Sequence, residues 1–115
     1  MGQLRMERVR ELMKQEIGDI ILKEIKDPRV GFVTVTRVSV TPDLRSAKVF
    51  VSLMGTEDEM ASSWLGLNRA LGFLRREVGR RVRLRYTPEL SLAIDDTMAY
   101  SARIQKLLRE ISAED

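Results

Sequence analysis

The chain contains no cysteine and no histidine. Disulfides and thiolate chemistry are therefore excluded. The commonest general base and the commonest transition-metal ligand are missing as well. No apolar run approaches the ~20 residues that a membrane span needs. The opening MGQLRMERVR has no apolar signal-peptide core, and Met6 stands where a myristoylation pattern would need Ser or Thr. A soluble cytoplasmic protein that does not engage membranes is expected. There is no GxxxxGK(S/T) and no GxGxxG, so both usual nucleotide cradles are missing. Ser62, Ser63 and Ser101 have no histidine to activate them, which leaves only a lysine as a formal base. No catalytic residue, metal site or cofactor is expected.

What is present is hydrophobic residue at a globular 43% and an uneven distribution of charge. At 115 residues the chain reads as one domain, 1–115, with about 112–115 as a frayed tail. Seven arginines and one acid fall between Met60 and Tyr86: Arg69, Arg75, Arg76, Arg80, Arg81, Arg83 and Arg85 against Glu77. That window is net +6, whereas the rest of the chain has thirteen basic and sixteen acidic residues, net −3. Concentrated positive charge of this kind is the footprint of a polyanion binder. Arginine outnumbers lysine fifteen to five. A guanidinium forks onto phosphate and stacks on bases better than an ammonium does, although GC-rich coding bias yields the same ratio.

Periodicity supplies the elements. Met6, Val9, Met13, Ile17 and Ile20 recur at helical spacing, with Leu12 and Ile21 widening the face, and predict a helix over residues 3–26 ended by Asp27-Pro28. A strand is expected over Phe32–Val40. Val33 and Val35 share one parity while Val38 and Val40 share the other, which implies a bulge near Thr36-Arg37 or burial on both faces. Thr41-Pro42-Asp43-Leu44 is a turn into an antiparallel strand with Ala47, Val49, Val51 and Leu53 inward. Thr56 and Glu59 fit a capping box.

From Trp64 the apolar residues Leu67, Leu71, Leu74, Val78 and Val82 lie within about 40° of one direction on an unbroken helix. Arg69, Arg76, Arg80 and Arg83 lie within about 40° of the opposite one. Ala70-Leu71-Gly72 is a candidate interruption. Leu90, Leu92 and Ile94 alternate as a third strand, and Ile104, Leu107, Leu108 and Ile111 mark a final short helix. Asp95-Asp96-Thr97 are placed to cap that helix. The class is α+β, a three-stranded sheet with helices packed on it.

Each candidate has a plainer reading. Asp95-Asp96 as a metal-nuclease pair would need further converging carboxylates, and helix capping suits their position better. Trp64 at helical spacing is core rather than a base-stacking platform. Phe32, Phe50, Phe73, Tyr86 and Tyr100 read as core or core-edge, with Phe50 conspicuous on the polar face of its strand. The arginine stripe could be a solvated face. Against that, it has almost no compensating acid, and it adjoins Ala70 and Gly72, small enough to let a phosphate backbone approach or to let helices pack closely.

Three stretches carry a resemblance. Glu24 to Thr36 (EIKDPRVGFVTVT), Ala47 to Ser52 (AKVFVS) and Leu67 to Leu90 (LNRALGFLRREVGRRVRLRYTPEL) are similar to bacterial ribosome-binding factor A, and the similarity continues to Tyr100–Ile104. It implies a type II KH-like fold, αββααβ, in which an alanine-centred helix–kink–helix replaces the usual GxxG loop. This chain has Ala70-Leu71-Gly72 there. KH domains with GxxG clamp nucleic-acid backbone. Its absence favours structured rRNA over ordinary single-strand recognition.

The resemblance further implies a non-enzymatic factor for late maturation of the small ribosomal subunit. Such a factor binds free small subunits and their rRNA, supports rRNA processing, and matters for growth in the cold. A monomer is expected. The RNA-binding set read from the residues is Arg69, Ala70, Gly72, Arg75, Arg76, Arg80, Arg81, Arg83 and Arg85. Two other classes remain open at this stage: a hydrolase centred on Asp95 and Asp96, and a protein–protein adaptor whose basic face meets an acidic partner.

Overall fold

The computed structural model describes residues 3–95, 97 and 100–114. In chain order the elements are α1 (Gln3–Lys23), β1 (Val33–Val40), β2 (Ser46–Leu53), α2 (Glu57–Arg69), α3 (Leu71–Arg81), β3 (Glu89–Ile94) and α4 (Ala102–Glu114). The sheet order is β1-β2-β3; β1 and β2 are antiparallel, and β2 and β3 are parallel. The parallel pair follows from its connection, because two helices span the distance that a hairpin turn cannot. This is the expected three-stranded α+β fold in type II KH-like order, with α4 added.

The core forms where α1 and the α2–α3 pair cover one face of the sheet. Met13, Ile17 and Ile20 of α1, Val49 and Val51 of β2, and Leu67, Leu74 and Val78 of the helical pair are all fully buried. Ala47 and Leu53 complete the inward row of β2. Trp64 is 3% exposed and donates its indole N–H to the Leu108 carbonyl at 3.0 Å, which ties α4 onto α2. The switch of parity in β1 is a bulge: the register shifts between Val35 and Arg37, so Val35 and Val38 are both buried while Arg37 is turned to the outer face.

Several expectations are corrected. α1 ends at Lys23, short of the proline. The N–H groups of Glu24 and Ile25 both reach the Ile20 carbonyl, at 2.8 and 3.2 Å, and this closes the helical ladder early. Leu12 is 42% exposed. It lies about 100° from Met13, on the flank that also carries the polar Glu16 and Asp19, whereas Ile21, about 80° to the other side, is buried. Phe32 precedes β1 and is 80% exposed, and Tyr86 is 46% exposed, so neither is core.

The Asp95–Thr97 segment does not cap α4. Its cap is Ser101, whose hydroxyl accepts the Ile104 N–H at 3.1 Å. Asp95 instead accepts the Thr97 N–H and hydroxyl at 2.9 and 2.7 Å. Asp96 lies outside the described residues.

Candidate nucleic-acid interface

The α2–α3 hairpin is defined at both of its ends. At its start the Thr56 hydroxyl accepts the Glu59 N–H at 3.1 Å, while the Glu59 carboxylate accepts the Thr56 N–H at 2.9 Å. That is the expected capping box, and Glu57 and Asp58 add charge suited to a helix N-terminus. The helix stops at Arg69. Ala70 sits at φ −90°, ψ 3°, between the helical and extended basins, and α3 starts at the next residue with no side chain capping it. The interruption read from Ala70-Leu71-Gly72 is therefore a kink centred on Ala70.

Gly72 is exposed, and a Cβ there would meet nothing nearer than Arg76 Nη1 at 3.9 Å. The chain thus leaves its backbone open to an incoming group. Gly66, one turn before the kink, is the opposite case. A Cβ there would lie 2.8 Å from Val30 Cγ2, because the 27–31 loop packs directly on α2 and is fastened by Gly31 N–H to Ser63 Oγ at 2.9 Å.

The kink also divides the arginines, which do not form one continuous stripe. On α3, taking Phe73 as zero, Leu71, Leu74 and Val78 point at about 100–160° and into the core. Arg76 and Arg80, at about 300° and 340°, point away from it, and both are exposed. Arg81 and Arg75 flank the core direction at about 80° and 200°. Arg81 turns against α1 and meets three carboxylates: Glu16 at 3.0 Å, Asp19 at 2.8 Å and Glu24 at 2.8 Å. The hydrogen bonds to Asp19 and Glu16 push the Arg81 pKa up. Hydrogen bonding to Arg81, then Lys23, holds the Asp19 carboxyl below its ordinary value. Arg75 turns toward β3 and donates to the carbonyls of Pro88 and Thr87 at 3.2 and 3.0 Å, with Glu89 at 3.4 Å.

These two arginines, both placed in the expected binding set, are thus engaged in fixing α3 to α1 and to β3. Arg69, Arg76, Arg80, Arg83 and Arg85 remain exposed. Arg83 and Arg85 lie beyond the end of α3, since Val82 is already extended. Among the described residues the only carboxylate paired with any of these five is Glu77, which accepts from Arg80 at 3.1 Å.

Two clefts adjoin this surface. One, of about 360 Å³, lies at the kink between Arg69, Ala70 and Phe73 and the 24–29 segment. Within it Arg29 forks onto Asp27 and lowers that carboxyl to about 2. Arg29 is thereby neutralised in place, while Arg69 adds a weaker pull on the same carboxylate and forms no ion pair of its own among the described residues. The other cleft, of about 410 Å³, is lined by Arg75, Arg76, Arg85, Tyr86 and Thr87.

Residues 5–108 match the family model of ribosome-binding factor A. The chain belongs to the ribosome-binding factor A family. Among solved structures it is similar to ribosome-binding factor A from Thermus thermophilus, at 25% identity and TM-score 0.66, covering 76% of this chain and 93% of that one. A Thermotoga maritima protein described as a putative ribosome-binding factor A matches at 33% identity and TM-score 0.62, covering 82% and 93%. A Thermus thermophilus ribosome-binding factor A homology model, fitted into a cryo-EM map of its 30S complex, matches at 26% identity and TM-score 0.62, covering 76% and 92%.

Within this family fold, sequence reading had missed Arg45 and the environment of Tyr86. The Arg45 guanidinium carbon lies 4.5 Å from the Tyr86 ring centroid, and that of Arg85 lies 5.5 Å from it. Arg45 gets there because Leu44 adopts φ 61°, a left-handed conformation for which a leucine gives no sequence signal. Arg37, re-aimed by the bulge, lies 3.7 Å over Phe50 and accounts for that aromatic on the outer face of the sheet. Among the described residues no group of three or more carboxylates is arranged to hold a metal, and no helix is long and apolar enough to cross a membrane.

Proposed function

We propose that this chain is a non-enzymatic RNA-binding factor for maturation of the small ribosomal subunit. In this reading it docks on free small subunits through the arginines around the α2–α3 kink, acts in the cytoplasm as a monomer, and holds rRNA in a processable conformation. The observation that carries the reading is the set of five exposed arginines, Arg69, Arg76, Arg80, Arg83 and Arg85, with one paired carboxylate among them. Like charges crowded this way repel, and a phosphate backbone relieves that repulsion while releasing counterions.

Family membership supports the ribosomal target, as does the Thermus relative fitted into a 30S complex. The kink supports recognition of structured RNA: Ala70 and Gly72 are small, and Gly72 is exposed, where a GxxG clamp would otherwise stand. Support for rRNA processing and cold growth is physical. A factor that holds one RNA conformation matters most when misfolded helices escape slowly, and it can assist cleavage by a separate nuclease. Asp95, the described member of the Asp95-Asp96 pair, is 8% exposed and has Thr97 on its carboxylate, a structural rather than a hydrolytic setting.

The test is co-sedimentation with purified small subunits. Replacing Arg69, Arg76, Arg80 and Arg83 together by Ala should leave a folded protein that no longer travels with the subunit. Undiminished co-sedimentation would remove these residues from the interface. Metal-dependent cleavage of precursor rRNA by the pure protein would overturn the non-enzymatic part. The adaptor reading differs in one outcome: binding to the subunit that survives removal of its RNA-accessible contacts but not of an acidic ribosomal protein.

A further inference from the structure

The cleft of about 410 Å³ at the entrance to β3 has a composition that the fold itself does not use. Its wall on one side is Arg75, which is committed to the carbonyls of Thr87 and Pro88 and to Glu89. Arg76 and Arg85 line it and Arg45 reaches Tyr86 beside it; none of the three forms a side-chain ion pair among the described residues, although the charge of Arg45 also acts on nearby Asp43. Tyr86 projects between them, 46% exposed, with guanidinium carbons 4.5 and 5.5 Å from its ring centroid. The β1–β2 turn is held against this place by the Glu89 N–H on the Arg45 carbonyl at 2.8 Å, so the position of Arg45 is set by backbone. Two guanidiniums on one exposed ring, with Arg76 lining the same cleft, crowd positive charge here and call for an anion with a flat face.

We propose that this cleft receives one unpaired RNA nucleotide, its base extending the Tyr86–Arg45 stack and its flanking phosphates lying on Arg76 and Arg85. The inference rests on the RNA-binding reading and narrows it to a class of RNA. A bare arginine surface takes duplex or single strand alike, because it needs only phosphates. A tyrosine–guanidinium stack requires a free base face, which a duplex keeps inside its own stack and a loop, bulge or single-stranded end exposes. The cleft therefore selects a splayed-out nucleotide beside the structured RNA gripped at the kink.

The experiment compares a short unstructured oligoribonucleotide with an RNA duplex of the same length, by fluorescence anisotropy at one low salt concentration. The wild-type protein should bind both and prefer the single strand. Tyr86→Leu should weaken single-strand binding by about five- to a hundredfold, leave duplex binding little changed, and keep the salt slope, since no charge is removed. Tyr86→Phe should bind like wild type. Arg85→Gln, which removes a proposed phosphate contact, should lower the single-strand salt slope by about 0.7. Photocrosslinking of the unstructured RNA to wild-type protein should place an adduct on Tyr86, a readout that does not depend on any variant folding. Unchanged single-strand affinity in a folded Tyr86→Leu protein, or adducts confined to other segments, would overturn the pocket while leaving salt-dependent RNA binding intact. Absence of binding to either RNA would overturn the pocket together with the RNA-binding reading.

Discussion

Two identical substitutions on either side of the kink should have opposite effects. Replacing Gly66 by Ala puts a methyl 2.8 Å from Val30 Cγ2 and 3.4 Å from Arg29 Cβ. Val30 is β-branched and stiff at χ1, and its loop is pinned by the Gly31–Ser63 hydrogen bond, so the neighbour cannot simply rotate away. A helix-interior Gly→Ala gains up to about 1 kcal/mol in propensity. Overpacking costs about 1–3 kcal/mol. Gly66→Ala should therefore be destabilised by about 0–2 kcal/mol on balance.

Gly72→Ala meets nothing within 3.9 Å and keeps the propensity gain, reduced by its place in the first turn of α3. The two variants should differ by about 0.5–2.5 kcal/mol, or roughly 2–10 °C in Tm for a domain of this size. Thermal unfolding followed by circular dichroism, with Trp64 fluorescence as a second probe, measures both. A double cycle with Val30→Ala should show coupling of at least about 0.5 kcal/mol. If Gly66→Ala were as stable as Gly72→Ala, the packing of the 27–31 loop on α2 would be wrong, and with it the shape of the kink cleft.

Arg81→Gln should lower stability at neutral pH by leaving Glu16, Asp19 and Glu24 facing one another. Because the folded Asp19 carboxyl is held below its unfolded value, the clamp contributes fully above the ordinary carboxylate pKa near ~4 and fades as pH falls through the lower folded value. The gap in Tm between wild type and variant should thus close in acid, and a constant gap from pH 7 down to pH ~2 would contradict the clamp. Ser101→Ala should cost about 0.5–2 kcal/mol through loss of the α4 cap and should shift Trp64 emission, since Leu108 of that helix holds the indole. A silent Ser101→Ala, with Asp95→Ala fraying α4 instead, would restore the original capping assignment.

Much of the fold was legible because its signals are local. The parity switch between Val35 and Val38 marked the β1 bulge, and Thr56 with Glu59 marked the start of α2. Ala70 and Gly72 marked the kink, since poor packing residues interrupt an otherwise continuous apolar spacing. The site was only partly legible, for a geometric reason. Spacing separates inward from outward residues but not the two flanks, and Arg75 and Arg81 sit on the flanks of α3, where a neighbouring element decides their fate. The acids Glu16 and Asp19 of α1 and Glu24 just beyond it were visible in the sequence, but that they face α3 is a tertiary fact. Likewise Arg45 reaches Tyr86 only through a left-handed leucine, and Asp95 turns to Thr97 because α4 starts five residues later than its charge suggested.

If the exposed arginines around the kink hold rRNA by its phosphates, as proposed, the salt dependence of small-subunit binding counts those contacts. With Arg69, Arg76, Arg80 and Arg83 replaced by Ala, the slope of log K against log salt should fall by about 0.7–0.9 per lost contact, so by roughly 3 for all four. Arg81→Gln, whose guanidinium is already occupied by α1, should leave the slope unchanged. An unaltered slope and affinity in the folded quadruple variant, or a slope that falls on replacing Arg81 instead, would contradict the account.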